Sequence, residues 1–151
     1  MSETTDQTTS ELNTGSSEEA AEENSGPDPR IGAVEWIDLT VYDADATSDF
    51  YASVIGWKKE EVPMGSYSDF NICQPSSKEV IAGICNARGP NSNIPPKWLM
   101  YVRVADVKES AETCTRRGGK IIDGPRRNGG QDICVIEDPE GAVLAIFSDR
   151  T

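Results

Sequence analysis

The chain has 151 residues, with 14 basic against 26 acidic side chains, no histidine and a formal net charge of -12. One domain is the natural expectation for that length. No run approaches the roughly 18 apolar residues of a membrane helix, and the opening residues lack the basic and apolar regions of a secretory leader. The acidic balance opposes nucleic-acid binding, because every phosphate contact would work against the field of the protein. The missing histidine removes the commonest general base and the commonest metal ligand together.

Charge sets the first boundary. Residues 1–30 carry Glu3, Asp6, Glu11, Glu18, Glu19, Glu22, Glu23 and Asp28 against Arg30 alone. Their few apolar side chains cannot offset the entropy of ordering the backbone, so a disordered acidic tail is predicted, either a solubilising extension or a segment for a basic partner. Pro27 and Pro29 close it, and a domain over residues 31–151 follows.

Within the domain, short strand-like and helix-like stretches alternate. Residues 34–41 place Ile37, Leu39 and Val41 on one face and Trp36, Asp38 and Thr40 on the other. Asp43 then caps a helix whose apolar positions are Ala46, Phe50, Val54 and Ile55, and Gly56 ends it. Strands are predicted at 57–62, 67–73 and 79–85, the middle one alternating Phe70 and Ile72 against Tyr67, Asp69 and Asn71. Residues 86–96, rich in Gly, Pro and Asn, read as a linker. A strand at 98–104 and a helix opened by Asp106 follow, with Val107, Ala111 and Cys114 on one side and Gly118-Gly119 closing it. Three more strand-like runs fall at 120–122, 132–136 and 142–147, with the flexible Asn128-Gly-Gly130 between the first two.

The second half repeats the first at an offset of 63 residues, which carries Val41 to Val104, Asp43 to Asp106 and Gly56 to Gly119. A unit of about 60 residues is too small to bury a sizeable core alone. The two β-α-β-β-β units, at about 31–86 and 97–151, must therefore complete one fold.

The stretches Leu39-Thr-Val-Tyr-Asp43, Phe50-Tyr51, Val54-Ile-Gly-Trp57, Tyr101-Val-Arg-Val-Ala-Asp-Val107, Gly118-Gly-Lys120 and Asp138-Pro-Glu-Gly-Ala142, in this order, resemble the vicinal oxygen chelate superfamily, which groups glyoxalase I, bleomycin-resistance proteins and extradiol dioxygenases. The resemblance implies an α+β fold of two paired βαβββ modules, their mixed sheet curled into a cup with the helices outside, a small molecule held within, and a homodimer. It also implies four metal-ligand places, which fall here on Trp36, Leu99, Ala145 and, through the 63-residue offset, Ala82. None of these side chains can ligate an ion, so no metal and no other cofactor is expected.

Alternation then gives the lining of the implied cup: Trp36, Asp38, Thr40, Tyr67, Asp69, Asn71, Leu99, Tyr101 and Arg103. Aromatic rings there would stack on a flat ligand, and Arg103 would either pair an anionic group of that ligand or neutralise Asp38 or Asp69. Trp36 either fills the cup or forms the stacking platform. Asn128-Gly-Gly130 is placed to act as a lid. The four cysteines show no metal-ligand spacing, and Arg116, Arg117, Lys120, Arg126 and Arg127 read as a solvated face. A metal-independent binding protein for a small planar molecule, located in the cytoplasm and with no nucleic-acid or membrane partner, is the expected function. The alternative is a lyase, isomerase or hydroxylase-like enzyme of the same superfamily, with Asp38 or Asp69 as base and Tyr101 as acid. No catalytic residue is assigned, because no nucleophile–base pair is visible, and that favours binding.

Overall fold

In a computed structural model, residues 26–150 are described. The expected acidic tail lies outside the described residues as far as residue 25. Residues 28–33 already belong to the ordered domain. Arg30 pairs with Asp28 at 2.8 Å, and the amide of Gly32 donates to the Arg103 carbonyl at 2.8 Å.

The elements in chain order are β1 (Val34–Val41), α1 (Ala44–Ile55), β2 (Lys58–Pro63), β3 (Ser68–Cys73), β4 (Val80–Asn86), β5 (Trp98–Arg103), α2 (Val107–Arg116), β6 (Lys120–Asn128), β7 (Gln131–Glu137) and β8 (Val143–Asp149), with a single 3-10 turn at Gly89–Asn91 in the linker. All eight strands form one mixed sheet in the order β2-β3-β4-β1-β5-β8-β7-β6. Each module closes on a parallel pair, β1 with β4 and β5 with β8, and the modules meet along the antiparallel seam of β1 and β5. The eight-stranded sheet is thus built within one chain.

The repeat shows in the capping chemistry. Asp43 accepts from the amide of Ala46 and Asp106 from that of Glu109, both at 3.0 Å, so each helix begins with the same side-chain cap 63 residues apart. At the helix ends the offset shortens to 62, for the left-handed glycines are Gly56 (φ 89°) and Gly118 (φ 92°). It stays at 62 in the closing strands, where Gly83 stands beside Asp38 as Ala145 stands beside Tyr101. The fourth ligand place expected at Ala82 therefore belongs to Gly83. Ala82 points the other way, into the outer core with Leu39, Ala44, Phe70, Ile72 and Ile84.

Each helix covers its own module: α1 lies on β3 and β4, α2 on β6 and β7. Under α2, Val107 and Ala111 join Cys134 and Ile146 in the core, as the spacing predicts, while Cys114 at the end of the same face is only part-buried. Helix α1 is rotated from the predicted orientation. It buries Ala44 and Ser48 and packs Tyr51 inward, while Phe50, Val54 and Ile55 are exposed. The reason is aromatic: Tyr51 sits among Trp57 and Trp98 with ring centroids 5.9 and 5.3 Å away, and its hydroxyl accepts from the Trp98 indole at 3.0 Å. The linker is more than a connection, because its Ile94 is buried against Leu99, Val135 and Ala145. Strand β6 runs well past the predicted 120–122, carried through register shifts around Asp123 and Arg126.

Candidate functional site

The face of the sheet opposite the helices carries the site. Trp36 stands opposite Tyr101 and Asp38 opposite Leu99 across the seam, and Asp38, Gly83 and Asn71 form one row across β1, β4 and β3. Gly83 lets the indole come close here: a Cβ at that position would lie 3.3 Å from Trp36 Cζ2 and 3.5 Å from the Asp38 Cβ. The indole thus lies across β4 and walls the cup. Between Val34 and Trp36 the pairing of β1 with β5 shifts by one residue. Such a bulge re-aims side chains, and it turns Glu35 to the same concave side as Trp36, where simple alternation would have put it outside.

A cavity of about 290 Å³ opens here, lined by Glu35, Trp36, Asp38, Tyr101, Asn128, Gln131, Ile133 and Phe147. Three of the nine predicted lining residues meet in it: Trp36, Asp38 and Tyr101. Thr40 and Leu99 are buried further along their strands, Leu99 beneath Ile94. Tyr67 falls before β3 and stacks under Arg88, 4.9 Å from the guanidinium. Asp69 accepts from both the backbone amide and the side-chain amide of Asn86, at 2.8 and 3.0 Å, and Asn86 in turn holds the first amide of α1. Its visible task is to anchor that helix start. Asn71 keeps its place on the concave row, outside the cavity lining.

Arg103 does not pair with Asp38 or Asp69. It donates to Glu35 through Nε and Nη2, the latter at 2.8 Å, and to Asp149 through Nη1 at 2.8 Å, and it lies 4.7 Å over the Phe147 ring. Its side chain is 7 % exposed. These bonds to two carboxylates raise its pKa, so it is a charged but fully engaged brace at the cavity edge. Sequence alone missed Glu35, Gln131, Ile133 and Phe147, and placed Asn128 only in the lid over the cup. Ile133 and Phe147 were within reach, since Phe147 is two residues beyond Ala145 on β8. Glu35 was hidden by the bulge.

The electrostatics centre on Asp38. Burial pushes its carboxyl up to about 6, the Tyr101 hydroxyl and the Trp36 indole pull it down, and the Asp69 charge adds a little upward. No protein group among the described residues donates to Asp38 Oδ1, which is buried. Burial, followed by the Asp38 charge, raises the Tyr101 hydroxyl well above the usual phenol range, so it stays a proton donor. Burial and the same carboxylates push the Cys85 thiol up to about 12, which keeps it protonated and unreactive.

The four metal-ligand places of such a cup fall on Trp36, Gly83, Leu99 and Ala145, and none of these side chains offers a donor. Among the described residues no three of His, Cys, Asp or Glu gather at one point. The residues present do not fit an ion of that kind.

Paired βαβββ modules joined along their first strands, with a cavity on the concave side of one sheet, define a glyoxalase-type cup. The chain belongs to the Glyoxalase/Bleomycin resistance protein/Dioxygenase superfamily, whose model matches residues 33–146. It is 27 % identical over 120 residues to the protein named "Putative glyoxylase CFP32" of Mycobacterium tuberculosis, covering 78 % of this chain and 46 % of that one. It is 26 % identical over 132 residues to the anthracycline biosynthesis protein DnrV of Streptomyces peucetius, covering 77 % and 46 %. The chain thus spans about half the length of these relatives. Among solved structures it is similar to methylmalonyl-CoA epimerase from Mycobacterium tuberculosis, at 14 % identity, 84 % and 95 % coverage and a TM-score of 0.48.

Proposed function

We propose that this protein binds a small, flat, ring-bearing molecule in the cup without the help of a metal ion. The cavity at Trp36, Tyr101, Phe147 and Ile133 carries the reading: three aromatic rings and an isoleucine wall it, and an equal number of polar side chains, Glu35, Asp38, Asn128 and Gln131, stand among them. At about 290 Å³ it is sized for one or two rings. The relatives named for anthracycline biosynthesis support a ring-bearing ligand. Titrating one- and two-ring fragments into isotope-labelled protein tests the reading. The indole signal of Trp36 and the side-chain amides of Asn128 and Gln131 should shift while those of Trp57 and Trp98, on the outer face, stay fixed. A fragment set that moves none of the three would refute it.

The Asp38–Tyr101 pair carries a second reading, proton transfer: the carboxylate takes a proton from a carbon acid while the Tyr101 hydroxyl donates to the oxygen on which charge develops. Exchange of a bound ligand's hydrogens with solvent deuterium, lost in Asp38→Asn, would establish it. As a partner we propose a second copy of the chain, docked on the bare outer side of the seam. No helix among the described residues is long and apolar enough to cross a membrane. The four cysteines stand unpaired, which supports a reducing, cytoplasmic setting.

A further inference from the structure

We infer that the cup selects a cationic ligand, a protonated amine carried on a flat ring, with its ammonium group set against the Asp38 carboxylate. The inference rests on the small-molecule reading above and names the ligand's chemistry. A carboxylate withdrawn from water needs a counter-charge or a full set of donors, because leaving it bare costs several kcal/mol. The protein supplies neither. Oδ1 of Asp38 receives no protein donor among the described residues.

The cations that might have served are committed elsewhere. Arg103 is held by Glu35 and Asp149, Arg126 by Asp123 and Asn91, and Lys59 by Asp45 and Asp49. Of the other titratable groups facing Asp38, the carboxylates of Asp69 from β3 and, at the cavity rim, Glu35 of β1 favour a cation as well, while the protonated Cys85 from β4 and Tyr101 from β5 are neutral. The walls suit the same guest, since the electron-rich faces of Trp36, Tyr101 and Phe147 attract a cation as well as a ring. The carboxylate turns about its Cβ–Cγ bond over a broad two-fold well, so either oxygen can meet a ligand. The anionic ligand that a free Arg103 would have paired finds no uncommitted cation in the cavity lining.

Three probes of one shape separate the cases: benzylamine, benzyl alcohol and benzoate, each titrated while the Trp36 indole signal is followed. The amine should bind at least about tenfold more tightly than the alcohol, and benzoate should be weakest. Asp38→Asn should weaken the amine by a similar factor and leave the alcohol nearly unchanged. Should that variant fail to fold, the wild-type protein still decides. Affinity for the amine, which stays protonated throughout, should rise as pH climbs from 5 to 7.5 and Asp38 ionises, while affinity for the alcohol stays flat. Alcohol or benzoate binding as tightly as the amine would overturn the inference and leave the small-molecule reading standing. If none of the three moves the Trp36 signal, both fall together.

Discussion

At the scale of single residues, Asp38 trades stability for a charge. Burial lifts its pKa from 3.8 to about 6, so the native state holds this proton more tightly than the unfolded chain does. Below both values the group is neutral in both states and costs nothing. Above about pH 6 the native state carries a charge that the unfolded chain would solvate, a penalty on the order of 2–3 kcal/mol. Asp38→Asn should therefore raise the melting temperature at pH 7.5, and its advantage should fade as pH falls from 6 to 4; an advantage of equal size at both ends would show that burial of the charge is not its source. Arg103 behaves in the opposite sense. Its removal leaves Glu35 and Asp149 facing each other without their shared cation. Arg103→Ala should lower the melting temperature more than Ile37→Ala, because Ile37, predicted as core, is 41 % exposed. The reverse order in a thermal scan would make the brace dispensable.

At the scale of elements, the sequence was legible where periodicity and capping speak alone. The strands of the first module, both aspartate caps, the face of α2 and the duplicated order all follow from local pattern, and the structure keeps them. It was illegible where one residue is gained or lost. The bulge in β1 adds Glu35 to the concave side, and the shorter second helix moves the last ligand place from Ala82 to Gly83. Neither changes the hydrophobic period enough to be seen. The orientation of α1 was lost for another reason: Phe50, Val54 and Ile55 outweigh Tyr51 in hydrophobicity, yet Tyr51 wins burial through its ring contacts and the Trp98 bond. Gly83 gives this level its test. Gly83→Ala pushes a methyl against the indole at 3.3 Å. The expected result is a shifted Trp36 signal and at least about threefold weaker probe binding, with cooperative unfolding retained. An unmoved indole would show that Trp36 does not rest on this strand.

At the scale of the whole molecule, the two helices and eight strands of the described residues leave the middle of the outer face bare. Because α1 serves the first module and α2 the second, no helix among the described residues lies over the seam between β1 and β5. Ile37 and Met100 are paired across that seam and are 41 and 45 % exposed, with Val34 beyond them at 53 %. A continuous exposed apolar strip is the mark of an interaction surface. A second copy fits it in the simplest way, because a two-fold axis on the seam would set each strip against its twin. A stable pair buries about 800 Å² per partner, which needs the strip and the polar residues around it. Sedimentation at micromolar concentration should then give twice the 16.4 kDa mass of the chain. Ile37→Asp with Met100→Asp should return it to the single mass with unfolding still cooperative and the cup still able to take its probe, since the cavity opens on the other side of the sheet. A wild-type protein that sediments at the single mass over this range would remove the second copy as the partner of the seam.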